Sequence, residues 1–441
     1  MKKKIQINKI IKPFNKSLVI EGDKSLSIRW ALLASQAMGK SKSFNLLRSD
    51  DIMNTLECLK KLGVKIKLTK NYCQIIGNGL NGFKYKNNLV LNAGNSGTLG
   101  RLILGFLVHA KKKIKILGDR SLSKRDFLRI TKPLEKFGAK LKTRSGKLPV
   151  TITGTKNPQP IKYHELRGSA QVKSAIMLAA LNTFGTTFIK AKKSRNHSEL
   201  LFKHLKLPIK ISKKNNFDLI KIKGKSHIKT LNYRIPSDIS SSAFFIVLTA
   251  LSNNSKIEIK NVNVNPTRLG ILKILKKMGV KIKLKNLRIY KGEKIANIYV
   301  ESTKKLKPIN CPSKLNSSAI DEFLLIFLVA SKANGISYFR NLSELNQKES
   351  PRLKWGSKIL SQMGVKNIVK NNGIKIYGNP KLKVKNKIVI KNFLKDHRVF
   401  MTSTVAALSY GGNWQIYDKD SINTSFPSFL KKMVYLGAKI H

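Results

Sequence analysis

Lysine, serine and arginine side chains crowd the start of an apolar segment near the beginning of the chain, EGDKSLSIRWALLA at residues 21–34. Lys24 and Arg29 stand where the apolar residues predict that a helix begins. The first backbone N–H groups of a helix have no intrahelical partner, and together with the helix dipole they favour anions. These residue types at a helix start therefore predict a site for a phosphate or carboxylate group.

Five further apolar segments begin in a similar way. The stretches before or at their starts are NAGNSGTLGR (92–101), ELRGSAQVKS (165–174), IPSDISSS (235–242), NSSAIDE (316–322) and KDHR (395–398). Serine, aspartate, asparagine and glycine are also the preferred residues of helix N-caps, so each stretch alone is read first as an ordinary cap. The six together favour the hypothesis that several helix starts converge on one anion-binding site.

The chain repeats one short amphipathic helix, which ends in glycine and is followed by a strand that opens on valine or alanine. This segment occurs as LECLKKLGVKIK (56–67), PLEKFGAKLK (133–142), ILKILKKMGVKIK (271–283), ILSQMGVKN (359–367) and LKKMVYLGAKI (430–440), with a weaker copy, LLFKHLKLPIKI (200–211), that has Pro208 beyond the helix end. Such regular recurrence indicates internal repetition.

A second kind of segment alternates with the first: a helix that is apolar on nearly all faces, a polar turn and a β-branched strand. Its copies are RWALLASQAMGKSKSF, GRLILGFLVHAKKKIKI, SAIMLAALNTFGTTFI, SAFFIVLTALSNNSKIEI, LLIFLVASKANGISYF and VFMTSTVAALSYGGNWQI. These helices should be buried and the amphipathic ones should lie outside. Right-handed crossovers and parallel pairing are expected for such alternation. The sequence predicts an α/β protein of two similar domains, three units each, with the chain crossing near residues 234–243 and a cleft between the domains.

The charge of the chain is strongly positive, with 87 lysine and arginine residues against 22 aspartate and glutamate and a formal net charge of +65. A field of this sign attracts polyphosphate of any sequence, as in nucleic-acid-binding proteins. The basic residues are spread evenly from Lys2 to Lys439, and the aromatic motifs of RNA-binding modules are absent. This distribution favours compositional drift toward lysine, so we expect no specific nucleic-acid partner.

Cysteine usage and hydropathy suggest the compartment. Cys58, Cys73 and Cys311 are scattered, without a CxxC pair or metal-ligand spacing, which indicates a reducing environment and neither a disulfide framework nor a zinc site. The first seventeen residues lack an apolar run of signal-peptide length, and stretches such as FLLIFLVA (323–330) are too short to span a bilayer. We expect a soluble, cytoplasmic protein with no metal and no membrane partner.

The motifs taken together resemble the EPSP synthase family over essentially the full length and in the family's order. The matching stretches are GDKSLSIR, NAGNSGTLGR, LSKR (122–125), LPVTITG (148–154), GSAQVKSA, SRNHSE (194–199), IPSDISSSAFF, NPTR (265–268), IDE, QKESPR (347–352), DHR and SFPSF (425–429). One such stretch would be a weak signal. A dozen ordered matches along a six-unit repeat are highly specific.

The resemblance implies two globular domains of three βαβαββ units each, in the inside-out α/β barrel arrangement of enolpyruvyl transferases, with the active site in the interdomain cleft. Residues 21–235 would form the N-terminal domain, and residues 1–20 and 236–441 the C-terminal domain. It implies a monomeric enzyme that transfers the enolpyruvyl group of phosphoenolpyruvate to the 5-hydroxyl of 3-phosphoshikimate, by addition and then elimination through a tetrahedral intermediate. It implies no metal or organic cofactor.

The resemblance also implies roles for particular residues. Both substrates carry phosphate and carboxylate groups, so the reaction needs cationic clamps, a carboxylate to take the hydroxyl proton and an acid for the methylene carbon. By resemblance, phosphoenolpyruvate would be bound by Lys24 and Gly97 and clamped by Arg125, Arg352 and Arg398. Shikimate phosphate would be bound by Ser25, Arg29, Ser169, Ala170, Gln171 and the nearby Arg195, and the ring hydroxyls by Lys348. The catalytic groups would be Asp321 as the base, Glu349 for proton transfer at the methylene carbon, and Lys24. From local sequence alone, Asp321 could equally cap a helix and Glu349 could pair with a neighbouring lysine.

Several positions depart from the family's pattern, although none removes a proposed catalytic group. They are Glu21 for proline, Ile28 for histidine, Asp126 for proline, Asn196 for aspartate, Asn346 for arginine, Pro351 for aspartate or threonine, and Thr424 for a lysine that reaches phosphoenolpyruvate in some members, with Lys419 nearby. Asp126 and Pro351 adjoin two proposed clamps, and a displacement of about 1 Å can cost about a hundredfold in rate. The departures suggest the hypothesis of a slow enzyme.

Two alternatives stay open at this point. The related enolpyruvyl transferase that acts on UDP-N-acetylglucosamine shares the repeated architecture, but it typically uses a loop cysteine, and none of the three cysteines stands in such a context. The other alternative is a catalytically degraded scaffold that binds polyanions through its charge. Retention of the proposed lysine, arginine and carboxylate residues together argues against it.

Overall fold

The structure, a computed structural model, describes residues 4–441. In that range the helices are α1 (Lys24–Gln36), α2 (Asp50–Lys61), α3 (Gly97–Leu107), α4 (Leu128–Glu135), α5 (Ala170–Asn182), α6 (His197–His204), α7 (Ile239–Leu251), α8 (Gly270–Lys277), α9 (Asn316–Ala319), α10 (Phe323–Ser331), α11 (Arg352–Gln362), α12 (His397–Tyr410) and α13 (Phe429–Tyr435). Short 3-10 helices cover Leu122–Lys124, Pro266–Arg268, Ser313–Leu315, Ser343–Gln347 and Lys419–Thr424.

The strands alternate with the helices along the chain, so the predicted α/β class is confirmed. The strands are β1 (Ile5–Ile7), β2 (Asn15–Val19), β3 (Met38–Phe44), β4 (Lys65–Leu68), β5 (Tyr72–Asn78), β6 (Leu89–Asn92), β7 (Ile114–Leu117), β8 (Lys140–Arg144), β9 (Lys147–Thr153), β10 (Lys162–Glu165), β11 (Thr186–Lys192), β12 (Ile209–Lys214), β13 (Phe217–Lys223), β14 (Tyr233–Arg234), β15 (Lys256–Asn263), β16 (Lys281–Tyr290), β17 (Glu293–Glu301), β18 (Gly335–Phe339), β19 (Asn367–Lys370), β20 (Gly373–Gly378), β21 (Lys387–Ile390) and β22 (Asn413–Ile416).

The chain divides into two compact units. The first unit comprises Gly22–Ile235 and Tyr290–Glu293, and the second unit comprises residues 4–21, Pro236–Ile289 and Lys294–His441. The chain therefore leaves the second unit near residue 21 and returns to it at residue 236. No feature of the sequence singles out the short segment 290–293 that groups with the first unit.

Over the described residues the strands form six small sheets, and β14, β2 and β1 each join a sheet of strands that are distant in sequence. In the first unit the sheet orders are β14-β3-β5-β4, β6-β7-β9-β8 and β10-β11-β13-β12. In the second unit, over the described residues, they are β16-β17-β15-β2, β18-β20-β19 and β1-β22-β21. The recurrence of one order through the first unit reflects the repeat that the sequence predicts.

The expectation of parallel pairing is only partly right. β6 pairs with β7 in parallel, whereas β7 with β9 and β8 with β9 are antiparallel. The antiparallel pairs come from hairpins whose turn residues have positive φ, such as Ser145 and Gly146 (48° and 76°) or Asn371 and Asn372 (48° and 55°). Two successive residues of this kind fit the tight turns that follow the twist of antiparallel strands. Hairpins thus account for antiparallel pairs such as β8 with β9 and β19 with β20, whereas β1 joins β22 antiparallel from a distant segment.

The two classes of helix differ in burial, as predicted. Every residue of α10 is buried, and α1, α3, α5, α7 and α12 are buried over nearly their whole length. In contrast, α2 buries one face, which includes Ile52, Leu56 and Leu59, and places Lys60 and Lys61 in its last turn. Lysine there complements the negative end of the helix dipole. The buried helices thus fix where their first turns lie.

Each unit has its own apolar core. The first core includes Trp30, whose indole N–H donates to the carbonyl of Leu231 at 2.8 Å. The second includes Trp414, which donates to the carbonyl of Gly411 at 2.7 Å. A buried indole N–H without a partner would be costly, so these bonds allow the largest side chains to fill the cores.

Candidate active site

Six of the predicted site residues lie in the first turns of buried helices: Lys24, Ser25, Gly97, Ala170, Gln171 and Arg398. Ser169 is the cap of α5, Arg29 lies in the second turn of α1, Arg352 begins α11, and Arg125, Arg195, Asp321, Lys348 and Glu349 lie outside these helices. The caps of α1, α3, α5, α7 and α12 each accept a hydrogen bond from a first-turn N–H; they are Asp23, Ser96, Ser169, Asp238 and Asp396. In α10 the N-cap position is Glu322, so Asp321 stands one residue outside the helix cap. Capping and ligand binding therefore fall mostly to neighbouring residues.

Arg29 is held on three sides in the first unit and is only 5% exposed. Its Nε donates to Ser198 Oγ at 2.8 Å, its Nη2 to Ser174 Oγ at 3.1 Å, and its Nη1 to the carbonyl of Ser25 at 3.1 Å. Burial lowers the pKa of Arg29 to about 10, against the opposing effect of carboxylates such as Glu199. The guanidinium is therefore still a cation at neutral pH.

Lys24 is oriented by a carboxylate of the neighbouring helix. Its Nζ lies 2.9 Å from Asp51 Oδ2, and the two side chains are 27% and 6% exposed. Asp51 belongs to the first turn of α2, where a negative charge is favoured by the helix dipole. The ammonium group is thus placed at the start of α1 and is still partly accessible.

Gly97 faces two guanidinium groups at the start of α3. A methyl group at Gly97 would lie 3.0 Å from Arg101 Nη1 and 3.1 Å from Arg125 Nη1. Arg101 donates to Gln171 Oε1 at 2.7 Å, and Arg125 donates to Asn95 Oδ1 at 3.3 Å. The structure therefore brings three predicted site residues, Gly97, Arg125 and Gln171, close to Arg101, which was not predicted.

The loop before α5 is organised by Glu165. Its carboxylate accepts the backbone N–H groups of Arg167, Gly168 and Ser169 at 3.2, 2.7 and 2.9 Å. Ser169 then caps α5, and Ala170 is the first residue of that helix. These bonds fix the backbone of the GSAQ motif at a helix start.

Arg195 stands just before α6, whose N-cap is Asn196. Its positive charge is near enough to Arg29 to lower the pKa of that residue. The next residue, His197, places Nδ1 2.6 Å from Glu293 Oε1, with both side chains buried. The SRNHSE motif thus adjoins the site around Arg29.

Arg352 is surrounded by carboxylates in the second unit and is 2% exposed. Its Nε donates to Asp396 Oδ2 at 2.9 Å, its Nη2 to Asp396 Oδ1 at 3.2 Å and to Glu349, and its Nη1 to Asp321 Oδ1 at 3.4 Å. Burial alone lowers the pKa of Arg352, but Asp396, Glu349 and Asp321 raise it above the ordinary value. The side chain is therefore a permanent cation.

Asp321 also contacts a lysine. Lys348 Nζ lies 3.3 Å from Asp321 Oδ1, and the two side chains are 28% and 17% exposed. The structure thus groups four of the predicted site residues, Asp321, Lys348, Glu349 and Arg352. Asp321 Oδ1 lies between two cations, the ammonium of Lys348 and the guanidinium of Arg352.

Arg398 is the second residue of α12. Its backbone N–H donates to Asp396 Oδ1 at 2.9 Å, its Nη1 donates to the carbonyl of Ser240 at 3.3 Å, and the same nitrogen lies 3.9 Å from Glu322 Oε1. Its guanidinium also stands 5.5 Å from the ring centre of Phe244, within the range of a cation–π contact. These contacts hold Arg398 beside the starts of α7 and α10.

The carboxylate that connects the proposed clamp residues Arg352 and Arg398 was not predicted from the sequence. Asp396 is fully buried and accepts from Arg352, from the backbone of Arg398 and, at 2.8 Å, from Ser350 Oγ. Its capping position was recognisable in the DHR motif. Its bond to Arg352 was not, because the two residues are 44 positions apart.

Two departures from the family's pattern adjoin clamp arginines without removing their support. The backbone carbonyl of Asp126 accepts from Arg101 at 3.2 Å, and its carboxylate accepts the N–H of Leu128 at 2.8 Å. Pro351 takes the N-cap position of α11 with φ of −69°, which proline adopts without strain. Arg352 beyond it keeps its bonds to Asp396.

Two other departures make contacts of their own. Thr424 Oγ1 lies 3.3 Å from Nδ1 of His397, the residue that precedes Arg398. Glu21 contacts the hydroxyl of Ser428 and lies 3.7 Å from Lys432 Nζ. The side chains of Thr424 and Glu21 therefore contact other residues of the second unit.

Within residues 4–441, no cluster of three or more histidine, cysteine, aspartate or glutamate side chains is arranged to hold a metal ion. In the same range no helix combines the length and hydropathy needed to cross a membrane.

Comparison with known proteins decides the family. The sequence model described as EPSP synthase (3-phosphoshikimate 1-carboxyvinyltransferase) matches residues 8–433. The chain belongs to the EPSP synthase family. A curated 3-phosphoshikimate 1-carboxyvinyltransferase from Ruthia magnifica subsp. Calyptogena magnifica is 39% identical over 436 residues, which are 98% of each chain.

Solved structures agree with this assignment. An EPSP synthase from Acinetobacter baumannii superposes with a TM-score of 0.88 at 33% identity and covers 99% of each chain. The enolpyruvyl transferase NikO from Streptomyces tendae reaches a TM-score of 0.77 at 14% identity, covering 99% of this chain and 98% of NikO, which shows a shared fold. The predicted resemblance to EPSP synthase and the predicted α/β enolpyruvyl transferase fold are confirmed. The alternative that acts on UDP-N-acetylglucosamine is not favoured.

Proposed function

We propose that this chain transfers the enolpyruvyl group of phosphoenolpyruvate to the 5-hydroxyl of 3-phosphoshikimate and releases phosphate. Membership of the EPSP synthase family supports the reaction. The single observation that carries it is the grouping of Asp321, Lys348, Glu349 and Arg352, because two carboxylates and two cations in contact suit proton transfer between anionic substrates.

In the first unit, the proposed roles are binding roles. Arg29 and Ser25 hold 3-phosphoshikimate, together with Ser169, Ala170, Gln171 and Arg195 at the starts of α5 and α6. Lys24 and Arg125 bind phosphoenolpyruvate, and Gly97 allows the backbone of α3 to approach it. Guanidinium and helix-start N–H groups suit phosphate and carboxylate oxygens, which supports this division.

In the second unit, the proposed roles include the chemistry. Arg352 and Arg398 clamp phosphoenolpyruvate, and Lys348 binds ring hydroxyls. Asp321 takes the proton of the 5-hydroxyl while the hydroxyl oxygen forms a bond to the central carbon of phosphoenolpyruvate. Glu349 delivers a proton to the methylene carbon. In the second step Glu349 takes a proton back from the new methyl group, the bond between the central carbon and the phosphate oxygen breaks, and inorganic phosphate leaves as the enol ether forms.

The paired state of Arg352 fits these roles. Asp396 engages Nε and Nη2, so the guanidinium is anchored from one side. Its remaining contacts run to Asp321 and Glu349, the two groups to which proton transfer is assigned.

Product identity tests the proposal. Purified protein is incubated with phosphoenolpyruvate and 3-phosphoshikimate, and products are followed by phosphorus NMR and mass spectrometry, with UDP-N-acetylglucosamine as the alternative acceptor. We expect 5-enolpyruvylshikimate 3-phosphate and inorganic phosphate from the first pair only. Product from UDP-N-acetylglucosamine alone would overturn the proposal.

The charge of +65 favours one competing explanation, a scaffold that binds polyanions. Binding of DNA or RNA through this charge should weaken steeply with salt, because released counterions drive it. A specific complex with 3-phosphoshikimate should persist better. Binding of both ligands is measured at low and high salt, and a parallel loss of affinity would favour the scaffold.

We also propose that the chain acts as a monomer in a reducing, cytoplasmic environment, without a specific nucleic-acid partner. The three cysteines, Cys58, Cys73 and Cys311, are buried and form no disulfide, which supports the reducing environment. Sedimentation analysis at several concentrations tests the oligomeric state, and a concentration-dependent dimer would contradict the monomer.

A further inference from the structure

Lys173 and Glu199 form a buried ion pair in the first unit. Lys173 Nζ lies 2.5 Å from Glu199 Oε1, and the side chains are 0% and 4% exposed. Lys173 belongs to α5 and Glu199 to α6. Removing two charges from water is costly, and a buried ion pair is weak support for stability in itself. None of the roles assigned above uses either residue, so the pair requires another explanation.

The ion pair adjoins the two hydroxyls that hold Arg29. Ser174 follows Lys173 and Ser198 precedes Glu199, and their Oγ atoms are 2.7 Å apart. Both hydroxyls accept from Arg29, at 3.1 and 2.8 Å. The two helices are thus joined at two consecutive residues on each, with Arg29 bound at the junction.

The direct hydrogen-bond partners of Arg29 in this junction are neutral. They are two hydroxyls and the carbonyl of Ser25, and they use three of the five N–H donors of the guanidinium. Glu199 is close enough to interact electrostatically with Arg29, yet its carboxylate is paired with Lys173. A guanidinium that is bound only by neutral acceptors has no carboxylate to exchange when it binds an anionic ligand.

We propose that Lys173 and Glu199 are positioning residues for substrate binding. The pair holds Ser174 and Ser198 around Arg29, and Lys173 keeps Glu199 from capturing that guanidinium. Arg29 can then bind an oxyanion group, phosphate or carboxylate, of 3-phosphoshikimate. This inference rests on the proposed function, which assigns Arg29 to that substrate.

The test removes the lysine with and without its partner. Lys173→Met leaves a buried carboxylate beside Arg29, and the double variant Lys173→Met/Glu199→Gln leaves none. Lys60→Met makes the same change at an exposed lysine of α2 and serves as the matched control. Dissociation constants for 3-phosphoshikimate are measured by calorimetry, KM for phosphoenolpyruvate by steady-state kinetics, and folding by thermal unfolding.

We expect Lys173→Met to weaken 3-phosphoshikimate binding about tenfold or more, because residues in one buried network couple strongly. KM for phosphoenolpyruvate should stay near the wild-type value. The double variant should recover most of the affinity, a reversal that a purely structural role does not predict. Should Lys173→Met fail to fold, Lys173→Arg and the double variant carry the comparison, and both should bind close to wild type.

A second ligand identifies the oxyanion that Arg29 meets. Shikimate keeps the carboxylate and lacks the phosphate. If Lys173→Met weakens the binding of both ligands equally, Arg29 binds the carboxylate. If it weakens only the binding of 3-phosphoshikimate, Arg29 binds the phosphate. Either result supports the inference.

The inference is overturned if Lys173→Met binds 3-phosphoshikimate like the wild type, or if the double variant binds as weakly as the single one. These failures leave the proposed function intact, because the wild-type protein still binds its substrate. Wild-type protein that binds no 3-phosphoshikimate would instead overturn the proposed function and this inference together.

Discussion

Asp396 and Arg352 share two hydrogen bonds in the second unit, from Nε to Oδ2 at 2.9 Å and from Nη2 to Oδ1 at 3.2 Å. The same carboxylate accepts the backbone N–H of Arg398 at 2.9 Å. One fully buried aspartate therefore fixes the guanidinium of Arg352 and the backbone of Arg398, two of the three arginines that the proposed function assigns to phosphoenolpyruvate.

Replacement of Asp396 by asparagine should impair phosphoenolpyruvate use with little change of shape. Asparagine retains an oxygen that can cap α12 but removes the charge that fixes Arg352. We expect kcat/KM for phosphoenolpyruvate to fall about a hundredfold, the scale of losses when a reacting group is displaced. The control, Asp420→Asn, removes an exposed partner of Lys395 and should change little. Equal kinetics in the two variants would contradict the proposed role.

Gly97→Ala should raise KM for phosphoenolpyruvate without unfolding the protein. The new methyl group would lie 3.0 and 3.1 Å from the ends of Arg101 and Arg125, which are flexible and can move by a few tenths of an ångström. We expect an increase in KM of about tenfold from this small displacement of a clamp. At Gly100 an added methyl group meets its neighbours at 3.4 Å or more, so Gly100→Ala should keep the wild-type KM. Similar values for the two variants would contradict the expectation.

His109 should make the protein less stable in mild acid. Burial lowers its pKa to about 4, with a further contribution from Lys225, and within residues 4–441 its Nε2 has no hydrogen-bond partner. In the unfolded chain a histidine has a pKa of about 6.5, so between about pH 6.5 and 4 only the unfolded state takes up the proton. The contribution of His109 to the free energy of unfolding is therefore complete above pH 6.5, and up to about 3 kcal/mol of it is lost as the pH decreases to 4.

Urea unfolding at pH 7 and pH 4.5 measures this effect. His109→Asn should lose less stability than the wild type over that interval. His164→Asn, at an exposed histidine of β10, should keep the wild-type loss. The same loss in all three proteins would show that His109 does not carry the effect.

The three cysteines should be unreactive in the folded protein. Burial raises the pKa of Cys58 and of Cys73 to about 12, and that of Cys311 to about 11. Only the thiolate is a good nucleophile, so at pH 8 each of these thiols is protonated as well as shielded. An aromatic disulfide reagent should detect none of them in the native state and all three in denaturant. Rapid native-state reaction of any one would contradict this account.

The residues at helix starts were predictable because local sequence sets them. Asp23 is a preferred cap, and a cap fixes where α1 begins, so Lys24 and Arg29 had to fall in its first two turns. The same reasoning places Gly97 after Ser96 and Ala170 after Ser169. The roles of these residues depended on the resemblance to the EPSP synthase family, since a cap alone does not name a ligand.

The partners of those residues were not predictable, because they come from distant segments. Ser198 lies 169 positions from Arg29, and Asp396 lies 44 from Arg352. Neither spacing leaves a local pattern. The hairpin strands, by contrast, had a readable signal in turn residues such as Asn371 and Asn372, which tolerate positive φ. The alternation of helices and strands predicted parallel pairing, whereas each hairpin contributes antiparallel pairs as well.

Release of phosphate from phosphoenolpyruvate in the presence and absence of 3-phosphoshikimate is the most direct test of the central claim, with Asp321→Asn measured alongside. We predict release only when both substrates are present, and a fall of about a hundredfold or more in Asp321→Asn, the usual contribution of a general base. No release by folded wild-type protein, or equal release by the variant, would contradict the proposed reaction or the role of Asp321 in it.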